Sequence, residues 1–113
     1  ITVSVGEEFT LTVVVENQRE SRAFELTDID IAEEYLNNFL ILGTNPPVKS
    51  DMHVPFDDTR SFSFDKAVPP QEVMRFECTL RPTEVGLFRG EVDVCEGQRF
   101  LSTLLQTEVK SDG

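Results

Sequence analysis

The stretch that decides the fold is EEFTLTVVVENQ, residues 7–18. Phe9, Leu11, Val13 and Val15 fall on one side of an extended chain, and Thr10, Thr12 and Glu16 on the other. A period of two with β-branched residues on both faces marks a strand buried on one side. It ends in the polar turn ENQRES, residues 16–21.

The same pattern continues outward. Upstream, ITVSV alternates Ile1, Val3 and Val5, and Gly6 starts the turn into the quoted strand. Downstream, RAFELTDIDI is a strand whose phase slips: Phe24 and Leu26 share one parity, Ile29 and Ile31 the other. A bulge near Thr27–Asp28 reconciles them. AEEYLNNFLI then places Ala32, Leu36, Phe39 and Leu40 at helical spacing, which predicts one or two helical turns over 32–38 and a short strand at 39–42. Asp30 is placed to cap that helix, with Glu33 and Glu34 in its first turn. Residues 43–58, rich in Pro and Asp, read as a long ordered surface loop. Four more strands follow, around 60–68, 72–81, 86–95 and 99–109, separated by PPQE, RPTEVG and EGQR turns.

This is an all-β pattern of seven to eight strands with one short helical insert. Turn signals recur every ~8–16 residues, which predicts an immunoglobulin-like β-sandwich, with a closed barrel as the alternative. A chain of 113 residues suits one such domain, 1–113, with a core built on Phe, Val and Leu. The chain contains nine Phe, one Tyr and no Trp.

The residues resemble a known family. VSVGEEFTLTVVVEN is similar to the opening of bacterial Ig-like modules, and VPPQEVMRFECTLRPTEVGLFRGEVDV to their second half, where a Pro-rich turn starts one strand and a Pro-Thr…Gly…Phe connection leads into the next. The resemblance is to CARDB-like modules. The turn CEGQRF and the partly helical insert at 32–58 depart from that pattern. The resemblance implies a sandwich architecture and a non-enzymatic module within a larger bacterial protein, and it weighs towards the cell surface. A chain that opens on Ile, without Met, is expected to be a piece of such a protein.

Composition narrows the partners. The formal net charge of −11 repels phosphate backbones, so nucleic acid is excluded as a partner and anionic membranes are disfavoured. No apolar run approaches the ~18 residues of a membrane span, which excludes direct insertion by a helix. Cys78 shares the inward phase of Met74, Phe76 and Leu80, whereas Cys95 has the opposite parity to Val92 and Val94 and is expected to point outward. A pair so placed does not meet disulfide geometry, so two free thiols are expected, which on its own favours a reducing compartment.

Little in the chain carries chemistry. His53 is the only histidine; it lies in the SDMHVPF segment beside ordinary turn formers, so Ser–His–Asp catalysis is not expected. No cofactor motif appears. Asp28, Asp30, Asp57 and Asp58 are the calcium candidates, set against the plainer reading of a solvated acidic face. For a protein partner, or neighbouring domains of the same chain, the candidates are Tyr35, Asn45 and His53, on the expected helix and the adjoining loop. Tyr35 and Phe39 read more naturally as packing anchors. The expected role is a spacer or protein-interaction module. The alternative is a calcium- or glycan-binding accessory domain, and the lack of Trp weakens its glycan form.

Overall fold

A computed structural model describes residues 1–111 of the chain. In order, the elements are β1 (Thr2–Ser4), β2 (Phe9–Glu16), β3 (Phe24–Ala32), α1 (Glu33–Leu36), β4 (Phe39–Asn45), β5 (Ser50–Val54), β6 (Thr59–Val68), β7 (Val73–Pro82), β8 (Gly86–Glu96) and β9 (Arg99–Lys110). They form two sheets, one of six strands ordered β1-β9-β8-β3-β6-β5 and one of three ordered β2-β7-β4. All pairings are antiparallel except β1 with β9. No helix is long and apolar enough to cross a membrane among the described residues.

Alternation in each strand gives the two sheets one shared core. Leu11 and Val15 of β2 and Phe76, Cys78 and Leu80 of β7 meet Leu26, Ile29, Ile31, Phe62, Phe64, Val92 and Val109 of the larger sheet. Phe76 lies between Phe62 and Phe64, with ring centroids 5.5 and 5.0 Å away. Such aromatic pairs add about 0.5–1.5 kcal/mol each beyond their area burial. The phase slip in β3 is present as a register shift between Leu26 and Asp28. It allows Leu26 on one side of the shift and Ile29 and Ile31 on the other to be buried in the same core.

The chain crosses between sheets through α1, a single turn that follows β3 and precedes β4. Ala32 is its N-cap, with no side-chain capping bond, so Asp30 does not cap it. The strand continues through Ala32, which leaves Asp30 on the sheet two residues too early. Tyr35 is fully buried, against Phe39 at 4.7 Å, with its hydroxyl 2.8 Å from Thr107 Oγ1 of β9. Its seat depends on Gly90 of β8: a Cβ there would lie 2.9 Å from both Ala32 Cβ and Tyr35 Cβ.

Two expectations change. The segment expected as loop contains β5, which pairs with β6 from Ser50↔Ser63 to Val54↔Thr59, so nine strands form among the described residues rather than seven or eight. Four of the five β5 residues are exposed, so backbone pairing holds the strand and hydrophobic alternation does not announce it. Cys95 does face away from the shared core, yet it is only 6% exposed, because the Asp28 and Asp30 side chains lie beside it. Cys78 and Cys95 are both free and buried.

Gly90→Ala is expected to lower stability by about 2–3 kcal/mol, since two rigid Cβ atoms must move. Gly43→Ala is the control, because nothing lies within 4 Å of its added Cβ. Urea unfolding of both variants checks this; equal midpoints would show that Tyr35 is not held by the missing side chain.

Candidate functional site

The outward residues of β3 and β8 line a groove of about 720 Å³ on the open face of the larger sheet. Pairing sets Asp28 beside Cys95 and Asp30 beside Asp93 on one flank. Ser63 and Ser61 of β6 stand opposite the same two aspartates on the other flank. Asp57 and Thr59 close one part of the groove, and Phe100 and Leu104 of β9 border another.

At its floor, single ligand atoms of Asp28, Asp30 and Cys95 all lie within 4.8 Å of one another. The Cys95 thiol donates to Asp30 Oδ2 at 3.6 Å. Thr27 Oγ1 donates to Asp28 Oδ1 at 2.8 Å and accepts the Gly97 N–H at 3.0 Å. Two buried oxygens of the groove lining, Asp30 Oδ1 and Thr59 Oγ1, have no hydrogen-bond partner among the described residues.

The two carboxyls are driven apart in acidity. Burial, then the adjacent Asp28, pushes Asp30 up to about 6. Burial also works against ionisation of Asp28, but hydrogen bonds from Asp30, Thr27, Cys95 and Ser61 outweigh it and hold Asp28 below the usual range. Burial and the two carboxylates push the Cys95 thiol well above its ordinary range. The two carboxyls thus oppose each other's ionisation, beside a thiol that resists losing its proton.

As a metal site the donor set is mixed. Calcium takes six to eight oxygen ligands, whereas this cluster offers two carboxylates and a sulfur that must first lose a tightly held proton. Of the four calcium candidates, Asp28, Asp30 and Asp57 line this groove. Asp58 does not join them. Its carboxylate lies 4.0 Å from His53 Nε2, and its backbone carbonyl accepts the Glu33 N–H.

The interaction candidates are likewise separated. Tyr35 is a core residue, unavailable to a partner, because the crossover between sheets buries it. Asn45 is exposed at the end of β4, donating to Glu77 Oε1 at 3.3 Å. His53 sits on β5 with Nδ1 2.7 Å from Glu33 Oε2. Arg60 reaches the same carboxylate through Nε and Nη2, each at 3.4 Å, and Asp51 through Nη1 at 3.1 Å. Glu33 is 6% exposed, so this is a buried carboxylate clamped by a guanidinium and an imidazole, tying the β5–β6 hairpin to α1.

Sequence reasoning missed Cys95 as a member of the acidic cluster, although its pairing with Asp28 follows once β3 and β8 are neighbours. It also missed Asn17, a fully buried residue whose Nδ2 donates to the Arg22 and Val68 carbonyls, both at 2.9 Å, and whose Oδ1 accepts the Arg19 N–H at 3.0 Å.

No family model matches the chain, and no curated protein matches it. Solved structures do. One is a family 123 glycoside hydrolase from Clostridium perfringens, whose structure was analysed for glycolipid glycan hydrolysis: the TM-score is 0.52 and the identity 14%. The match covers 97% of this chain and 22% of that chain. At this identity the likeness is one of fold alone.

Two outcomes follow from the charges. A folded-state pKa raised above the unfolded value stabilises below pH ~4, and that contribution is lost as pH rises through about 6. Asp30→Asn removes the second carboxylate of the pair, so it is expected to be more stable than the parent at pH 8 by about 1–2 kcal/mol, with solvent screening included. The advantage should vanish near pH 4; unfolding curves at both pH values check it, and a pH-independent difference would dismiss the raised Asp30 pKa. Glu33→Ala leaves Arg60 and His53 without their common partner and is expected to cost about 2 kcal/mol. In urea unfolding, combining it with Arg60→Ala should cost less than the two losses added together.

Proposed function

We propose that this chain is a non-catalytic, immunoglobulin-like module of a larger bacterial protein, serving as a spacer or protein-interaction domain. The observation that carries the reading is the coverage: nearly the whole chain superposes on about a fifth of a much larger enzyme. The CARDB-like character of the segments around Phe9–Val15 and Val68–Val94 supports the same architecture. The groove favours it too, because Asp28 and Asp30 stand on the open face of a sheet, gathered beside a thiol rather than around an enclosed cleft.

A second reading rests on the same match. The neighbour is a glycoside hydrolase, so this chain is also read as an accessory domain beside a glycan-acting catalytic domain. Among the described residues the exposed aromatic side chains are Phe56 and Phe100, without Trp, which makes a sugar-stacking platform the weaker choice.

One experiment tests both. The isolated chain is expected to unfold in a single cooperative transition and to turn over no p-nitrophenyl glycoside. Turnover abolished by Asp30→Asn would overturn the non-catalytic reading. A thermal shift with oligosaccharides would favour the second reading over the first.

A further inference from the structure

We propose that the acidic groove on the outer face of the six-stranded sheet docks an extended, basic segment of a partner protein, with arginine or lysine at alternate positions. This deepens the protein-interaction reading above and rests on it. Six carboxylates line the groove: Asp28 and Asp30 of β3, Glu91 and Asp93 of β8, Glu34 of α1, and Asp57. Arg89 is the one basic residue of the lining, and among the described residues neither it nor any other cation forms an ion pair with them. Elsewhere the chain does pair its carboxylates, Glu96 with Arg19, and Glu33 and Asp51 with Arg60.

Strand pairing concentrates this charge. Asp30 stands directly opposite Asp93, and Asp28 follows it on the same face of β3. Like charges facing each other across strands destabilise a sheet. Edge protection does not account for them, because β3 and β8 are inner strands, each paired on both sides. For the same reason the face is independent of what lies beyond the sheet: a strand added at either edge leaves the outward side chains of β3 and β8 in place. Asp30 Oδ1 and Thr59 Oγ1, both buried here, also lack a hydrogen-bond partner among the described residues. A pairing rule broken on an inner strand, together with acceptors left unmet, points to a surface that a ligand completes.

Charge and spacing name the occupant. A net charge of −11 draws cations towards the molecule, and the groove concentrates six carboxylates at one place on it. Asp28 and Asp30 are two residues apart on β3, as are Glu91 and Asp93 on β8, a separation of about 6.6–6.8 Å along an extended chain. Basic side chains at alternate positions of an extended segment repeat at that same distance. Successive cations then lie over successive carboxylates, and the forked donors of arginine reach two oxygens at once. Phe100 and Leu104 border the groove and offer apolar contact to the aliphatic stems of those side chains.

Fluorescence anisotropy at pH 8 in about 0.1 M salt is the test, since charges more than about 10 Å apart are largely screened there. The probe is a labelled peptide in which three arginines alternate with valines. This chain is expected to bind it with a Kd on the order of 10–100 μM. Asp30→Asn combined with Asp93→Asn should weaken binding about tenfold, and Glu91→Gln about threefold. Glu91 is exposed, so its variant keeps the fold and tests the groove by itself. Glu20→Gln combined with Glu72→Gln removes two exposed charges outside the groove and should leave the affinity unchanged. A peptide of the same composition with its arginines adjacent should bind about threefold more weakly. Absence of binding by the parent chain overturns the proposal while leaving the module reading, whose own failure shows as glycoside turnover. Equal weakening by the remote pair, or equal affinity for the two peptides, overturns it in favour of diffuse attraction by net charge. Spermidine that displaces the peptide at equal concentration overturns it in favour of a small cationic ligand.

Discussion

The missing side chain of Gly90 is the constraint on which the rest of this structure depends. The chain must leave the large sheet after β3 and enter the small sheet at β4, and it does so in one helical turn. That turn closes over β8 only because nothing projects from Gly90 between Ala32 and Tyr35. Once seated, Tyr35 reaches Thr107 and packs on Phe39, whose ring also meets Phe9 and Phe88 at 5.6 and 6.0 Å. Strands of both sheets are thereby tied to one aromatic cluster. The second cluster, around Phe76, binds the sheets nearer their centres. A threonine partner satisfies the buried tyrosine hydroxyl, which matters because an unmet hydroxyl there would cost about 1–3 kcal/mol.

Much of this was legible in the residues, and for a physical reason. Where a strand is buried on one face, a period of two is imposed by the core itself, so β2, β6, β7 and β8 announce themselves through Phe9–Val15, Phe62–Phe64, Phe76–Leu80 and Val92–Val94. β5 lies at a sheet edge with little burial, so Ser50–Val54 carries no such imprint, and its Asp and nearby Pro read as turn chemistry. Parity told which way Cys95 points but not that it would be covered. Coverage came from strand order, which no local pattern encodes: Asp28 and Asp30 stand beside Cys95 because β3 and β8 are neighbours despite the many residues between them. The same blindness applies to Asn17, whose value lies in joining two turns distant in sequence, the one after β2 and the one before β7.

The acidity of the chain is not spread as a uniform coat. Several carboxylates are held by specific partners, as Glu96 is by Arg19, whose guanidinium at 2.6 Å and the Glu25 N–H hold it down to about 2. Glu33 is clamped by Arg60 and His53. Asp28 and Asp30 are the exception, two like charges placed side by side and relieved by a proton rather than by a cation. Such an arrangement is tolerable on a sheet face open to water on one side.

The treatment of the sheet edges divides the molecule in the same way. β5 is short and carries Asp51 and His53, both engaged in the clamp with Arg60 and Glu33. β4 is interrupted by a register shift between Ile41 and Gly43 and is followed by Pro46 and Pro47. β1 is three residues long. β2 is flanked by Glu7, Glu8 and Glu16. Each of these is a recognised way to keep a second chain from adding to a sheet. β9 alone combines length, apolar side chains on both faces and an absence of carboxylates over residues 99–107. Where burial supplies no alternation, edge protection is written in strand length, charge and interruption, which is why these edges are the least legible part of the sequence.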